Sequence, residues 1–235
     1  MLSGGVSELK HEKFMKSLQV GILGGCVVMA ASLSMLYELA LAQSMATVFG
    51  STVTQYTLVI GLFLFGLGVG TWLECRWPAQ SAVKALITVE VLLAFIGMVS
   101  PLALVVVSES LTHLGVAGLG LAAILIISIL SGREIPLFLQ VADQLTQSRL
   151  PTVLAWDFFG TCLMTVLFPL VLLPVVGLLG VSILAGVLNL LLAGVVFALG
   201  MGRFWPLPVL GLATAMVWTA VFAEVTHLEN LVLGI

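Results

Sequence analysis

The sequence predicts an all-α integral membrane protein, a bundle of about seven transmembrane helices with its N-terminus in the cytoplasm and its C-terminus outside. Three observations carry that prediction. Of 235 residues, 61% are apolar and 8% charged, and the mean hydropathy is +1.26, so there is too little charge to clothe the surface of a soluble domain. Several apolar runs reach the ~20 residues needed to cross hydrocarbon. All eight basic residues (Lys10, Lys13, Lys16, Arg76, Lys84, Arg133, Arg149 and Arg203) fall in gaps between apolar runs. Counting spans from the N-terminus puts every one of those gaps on the same face, and the face that keeps the basic residues is the cytoplasmic one.

The first 17 residues hold Lys10, His11, Lys13 and Lys16 and predict a basic, amphipathic cytoplasmic start. From residue 18 to 235 the chain reads as one membrane domain. The run from Leu18 to Ala42 is about twice the length of a signal-peptide core and carries Glu38, so it is expected to stay in the membrane as a signal anchor. Further spans are expected from Thr54 to Leu73, Val83 to Val107, Leu114 to Ser131, Val153 to Val175, Leu178 to Leu199 and Leu207 to Ala223. The connections at Phe49–Thr52 and Ser108–Ser110 are uncharged or acidic, which suits the outer face. Those at Arg76-Trp77-Pro78 and Arg203-Phe204-Trp205-Pro206 join base, aromatic ring and helix breaker, as an inner interface anchor does. The long connection over 133–152 is polar at Gln140, Asp143, Gln144, Gln147 and Arg149 and apolar at Leu137, Leu139, Val141 and Leu145. It predicts a short amphipathic helix on the inner surface.

Composition also excludes function classes. A net charge of -3, with no basic aromatic stripe, gives no nucleic-acid partner. Cys26, Cys75 and Cys162 have no metal-ligand or disulfide spacing and are expected to pack as small apolar groups. His11, His113 and His227 lie in or near loops and the tail, so no hydrolase triad and no metal site is expected, and no phosphate-binding loop follows a strand. No catalytic residue, metal or cofactor is therefore assigned.

Two features remain. Gly61, Gly66, Gly68 and Gly70 line the second span, and Gly115, Gly118 and Gly120 open the fourth. Small residues at such spacing let helices approach closely in lipid, either within the bundle or against a protein partner or second copy. The other feature is acidity inside the spans, which is costly enough to mark functional positions unless it lies at an interface. Glu38, beside Tyr37, sits toward the outer part of the first span, where it could also be an interfacial acid reaching outer water. On the inner side, Glu90, Arg133, Glu134 and Asp157 approach one another if their helix ends converge. Arg133 would then pair with Glu134 or Asp157, stapling the fourth and fifth spans, and the remaining acids would favour a cation. Glu74 and Asp143 are expected to be solvated.

The order Leu36-Tyr37-Glu38, Phe49-Gly50-Ser51, the Gly61 to Gly70 glycine series, Gly132-Arg133-Glu134-Ile135-Pro136-Leu137 and Trp156-Asp157-Phe158-Phe159-Gly160 resembles the transmembrane half of membrane-bound spermidine-synthase-like proteins. The resemblance covers about residues 20 to 180. That family tends to have a basic residue five positions after the Glu of its Tyr-Glu motif, where this chain has Gln43. It usually joins the bundle to a soluble aminopropyltransferase domain, whose nucleotide loop and catalytic aspartates have no counterpart in this chain. The resemblance implies a link to polyamines or to a separately encoded transferase.

The leading expectation is a non-enzymatic multi-pass protein of the bacterial inner membrane that binds or conducts a small cation, a polyamine being the candidate, at Tyr37, Glu38, Glu90, Arg133, Glu134 and Asp157. The alternative is a scaffold or accessory subunit docking a partner through the glycine-rich second span. An intramembrane enzyme is the third class, with carboxylates but no accompanying nucleophile or metal set.

Overall fold

In lipid each backbone N–H and C=O must find its partner within the protein, and a run of apolar residues achieves this by coiling into a helix. The computed structural model follows that rule. It describes the backbone over residues 3–108, 112–145 and 150–201 and side chains over 18–108, 112–143 and 150–198, and the described residues contain helices and no strand. The expected span from Leu207 to Ala223, the C-terminal tail, Arg149, Arg203 and the basic side chains before residue 18 lie outside the described residues.

α1 (Ser3–Phe49) ends where Gly50, at φ 75°, turns the chain into α2 (Thr52–Arg76). α3 (Ala82–Val107) begins at Ser81, whose hydroxyl accepts from the Lys84 amide, and α4 (His113–Gly132) at Thr112, which accepts from the amide of Gly115. Both satisfy an otherwise unpaired amide of a first helical turn. α5 (Glu134–Leu145) follows after the single residue Arg133. α6 (Leu150–Leu167) runs through a π-helical turn (Phe168–Leu172) containing Pro169 into α7 (Leu173–Met201). A π turn accommodates the amide that proline lacks.

Among the described residues, five helical stretches are long and apolar enough to cross a membrane: Leu18–Phe49, Thr52–Arg76, Ala82–Val107, His113–Asp143 and Leu150–Ala198. The fifth contains both spans expected between Val153 and Leu199. Gly177 interrupts it with φ 75° and ψ 169°.

Glycine contacts fix how the helices run. Gly24 faces the Trp156 indole, and Gly160 faces the Val28 carbonyl and Ala31, so α1 and α6 lie side by side in the same direction. The Tyr37 ring fills the space left open by Gly97, and Met45 packs with Leu104 around Gly120, so α1 and α3 are also parallel. A straight helix would carry Gly186 ~39 Å past Gly160. Gly186 instead lies against Ala94 and Met98 of α3, near the level of Gly160, so the chain doubles back at Gly177 and the rest of α7 descends along α3.

The glycines of α2 divide by face. A Cβ on Gly66 would collide with Ser128, and one on Gly70 with the Ile129 carbonyl and, at 3.0 Å, the Gly132 Cα. Gly66 and Gly70 thus serve contact between α2 and α4 inside the bundle. Gly61 and Gly68 are exposed, with open space beside them. α5 also differs from expectation. Rather than lying on the surface, it buries Leu137, Phe138, Val141 and Ala142 against the other helices, leaving Asp143 exposed.

Candidate functional site

Two buried acidic regions lie near the end of the bundle where α2 and α4 finish and α3, α5 and α6 begin. In the first, close packing at Gly66 and Gly70 brings the last turns of α2 and α4 together, and Thr71 donates to the Gly132 carbonyl at 2.7 Å. Glu74 then meets Arg133: Nε and Nη2 both donate to its Oε2, at 2.9 and 2.7 Å. The Ala79 amide donates to Oε1 at 2.8 Å and Gln140 Nε2 to the same oxygen at 3.5 Å. Glu74 is fully enclosed and Arg133 about one-third exposed. This corrects two expectations. Glu74 is buried rather than solvated, and it, not Glu134 or Asp157, is the partner of Arg133. The pairing ties α2 to α4 and α5.

The second region therefore has no share in that arginine. Glu90, a little over two turns into α3, is completely buried, and among the described residues neither carboxyl oxygen has a hydrogen-bond partner. Tyr37, packed on Gly97, is buried too, and its hydroxyl is equally unpartnered. Helical side chains lean toward their own N-terminus, so the phenol is directed down α1 toward Glu90. Glu134, at the first turn of α5 where the helix dipole favours an acid, is buried and accepts from Ser34 Oγ at 3.1 Å. Glu90 and Glu134 are within electrostatic reach of each other and of Tyr37. Cys26, on the same face of α1 three turns before Tyr37, also lies within reach of Glu90.

Two acids flank this centre. Glu38 is on the same face of α1 as Ser34, one turn beyond it, and is only 7% exposed, so it is not an interfacial acid reaching into water. Asp157 of α6 sits next to Trp156, whose ring abuts Gly24; it is half-buried and acts electrostatically on Glu134. The structure thus brings together Tyr37, Glu90, Glu134 and Asp157, places Glu38 above them, and removes Arg133 to Glu74. Gly61, Gly66, Gly68 and Gly70 lie outside this cluster.

Sequence reasoning missed Ser34 as a ligand of Glu134, Gln140 as a ligand of Glu74, and Asn189 of α7. The Asn189 amide is buried with both polar atoms unpartnered among the described residues, as is the Ser131 hydroxyl. A polar residue in the apolar run Leu188-Asn189-Leu190 was the available signal. Gln43 accepts from the Tyr56 hydroxyl at 2.8 Å. Of the cysteines, Cys26 is buried, but Cys75 and Cys162 are exposed rather than packed.

A polyamine aminopropyltransferase of Leptospira interrogans is 29% identical to this chain over 165 residues, which are 69% of this chain and 32% of the relative. Polyamine aminopropyltransferase 2 of Ralstonia nicotianae is 31% identical over 172 residues, 71% and 33% of the two chains. The polyamine aminopropyltransferase of Corynebacterium efficiens is 34% identical over 181 residues, again 71% and 33%. These homologues establish a spermidine-synthase-like relationship. The chain spans about a third of the length of the curated relatives it matches. No family model matches the chain, and no solved structure gives a significant match.

Proposed function

We propose that this chain is a multi-pass protein of the bacterial inner membrane, its basic end cytoplasmic, whose helical bundle binds a small organic cation of the polyamine class between α1, α3, α5 and α6. On this reading the chain crosses the membrane seven times and its C-terminus lies outside, with no chemistry performed in the bundle.

The observation that carries the proposal is Glu90: a carboxyl group without a hydrogen-bond partner, enclosed beside the Tyr37 hydroxyl and a second acid. Enclosing such groups is costly, and a buried acid in a membrane bundle generally marks a substrate or ion path. An ammonium ion answers each deficit. It supplies positive charge for two neighbouring carboxyl groups and N–H donors for their lone pairs and the phenol oxygen. The capture of Arg133 by Glu74 keeps that base from filling the same role. The relatives' names, which refer to polyamines, point to the same ligand chemistry.

The test is equilibrium binding of labelled spermidine to the purified protein in lipid nanodiscs. Saturable binding is expected for the wild type, weakened roughly 10-fold or more in Glu90→Gln. A wild-type protein that shows no saturable binding overturns the proposal. The scaffold alternative is narrowed to the exposed side of α2 at Gly61 and Gly68, since α4 already occupies Gly66 and Gly70. Co-purification of a fixed partner that is lost in Gly68→Leu would promote it.

A further inference from the structure

We propose that the C-terminal end of α2 carries a site for one anionic phospholipid, its phosphate held by Arg76 with the indoles of Trp72 and Trp77, and an acyl chain lying along the exposed face of α2. The site is separate from the acidic cluster and needs no bound cation. It requires only that α2 crosses a bilayer.

α2 has 25 residues and is therefore ~37 Å long, more than the ~30 Å hydrocarbon layer, so its last turn emerges at the level of the headgroups. The fold holds that turn in place. Pro78 stops the helix, the Trp77 amide donates to the Leu73 carbonyl at 2.9 Å, and the Ala79 amide donates to the enclosed Glu74 at 2.8 Å. The Arg76 guanidinium then lies over the Trp77 ring, 5.7 Å from its centre, and Trp77 meets Trp72 edge to face at 5.7 Å. Both contacts favour one arrangement of side chains that would otherwise move freely.

These groups lack acceptors. Among the described residues the ion pair is that of Arg133 with Glu74, so Arg76 has no carboxylate, and neither indole N–H is donated to another described residue. Arg76 is exposed, as are Trp72 (59%) and Trp77 (62%). A phosphate matches the guanidinium fork with two N–H bonds, and interfacial indoles donate to headgroup oxygens while their rings stay among the chains. The surface leading away from this cluster is apolar. Leu64, Phe65 and Gly68 continue the face of Trp72 at helical spacing; the first two are exposed, and Gly68 leaves open space between Phe65 and Trp72. A free anion would use the basic end and leave the apolar face bare. An amphiphile with a negative head uses both.

Lys84 supplies the control. It is exposed near the start of α3 and likewise has no carboxylate among the described residues, but no aromatic ring holds it. The test is native mass spectrometry of the detergent-purified protein given equal amounts of phosphatidylglycerol and phosphatidylcholine. The first lipid retained by the wild type should be phosphatidylglycerol, preferred by roughly fivefold, the size expected for one basic residue at an anionic headgroup. Arg76→Gln should abolish that preference, Arg76→Lys should lower it, and Lys84→Gln should leave it in place; each variant should melt like the wild type, since all three changes are on the surface. Three results overturn the inference: no preference in the wild type, an Arg76→Gln protein that keeps it, or a Lys84→Gln protein that loses as much, which would reduce the effect to diffuse positive charge. Displacement of the lipid by millimolar inorganic phosphate would also overturn it, by showing a site for a free anion.

Discussion

Glu74 and Glu90 are both enclosed carboxyl groups near the same end of one bundle, and their surroundings are opposites. Glu74 accepts from the guanidinium of Arg133, the Ala79 amide and Gln140. Glu90 accepts from nothing and has a second acid and an unpartnered phenol as neighbours. Burial alone therefore does not separate a structural acid from a binding one. What separates them is whether the fold has already supplied the partner. A satisfied acid holds helices together, and removing its partner should damage the fold. An unsatisfied acid contributes little to the fold, and changing it should damage binding instead.

The largest expected effect is on the satisfied side. Arg133→Ala leaves Glu74 enclosed without its counter-charge, and breaking a buried pair costs about 3–5 kcal/mol, here toward the low end because Arg133 is partly exposed. The melting temperature in detergent should fall clearly, whereas Arg133→Ala combined with Glu74→Leu should recover most of the loss. An Arg133→Ala protein that melts like the wild type would show that the pair is solvated and that the contrast with Glu90 is false.

Next is the glycine that lets the pair form. Gly70 is one turn before Glu74 and rests on the backbone of Ile129 and Gly132. Gly70→Ala must push α4 away, and overpacking of this kind costs about 1–3 kcal/mol. Gly68→Ala, facing open space, should cost nothing or stabilise slightly through the better helix propensity of alanine. Equal melting temperatures for the two variants would remove the close contact between α2 and α4 from the account.

The spans and the glycine spacing were legible because hydropathy and one-turn periodicity are local properties. The pairing of charges was not. Glu74 precedes Cys75-Arg76-Trp77-Pro78, which reads as a wet interface, and only the parallel packing of α2 on α4 brings it to Arg133. Likewise α5 has the alternation of a surface helix, and its burial depends on a space between α1, α2 and α3 that no local pattern records. The candidate acids Glu90, Glu134 and Asp157 were found from the cost of charge in apolar runs. Their proximity depended on helix directions, set by the reversal at Gly177 and the contacts at Gly24, Gly97 and Gly160.

The unsatisfied side predicts a smaller change in stability. Glu90→Gln preserves shape, and because Glu90 has no hydrogen bond to lose, stability should stay within about 1 kcal/mol of wild type or rise. Glu74→Gln, which weakens the bonds from Arg133, should destabilise by about 1–2 kcal/mol. Spermidine binding should show the reverse order, lost in Glu90→Gln and retained in Glu74→Gln. Matched losses of stability in the two variants would mean that Glu90 has a structural partner after all.

The smallest and sharpest effect is expected at Tyr37. Its hydroxyl is enclosed with no partner, so Tyr37→Phe deletes an unsatisfied polar atom and leaves the ring on Gly97 in place. An unmade hydrogen bond contributes nothing to the fold, and burying the oxygen without one is unfavourable, so the variant should melt at or slightly above the wild-type temperature. If the oxygen is instead held in reserve for an ammonium group beside Glu90, the same deletion should weaken spermidine several-fold, the size expected for one hydrogen bond to a charged group. Stability and affinity would then move in opposite directions on removal of a single atom. A Tyr37→Phe protein that loses stability and keeps its affinity would place the hydroxyl with Glu74, among groups whose partners the fold supplies.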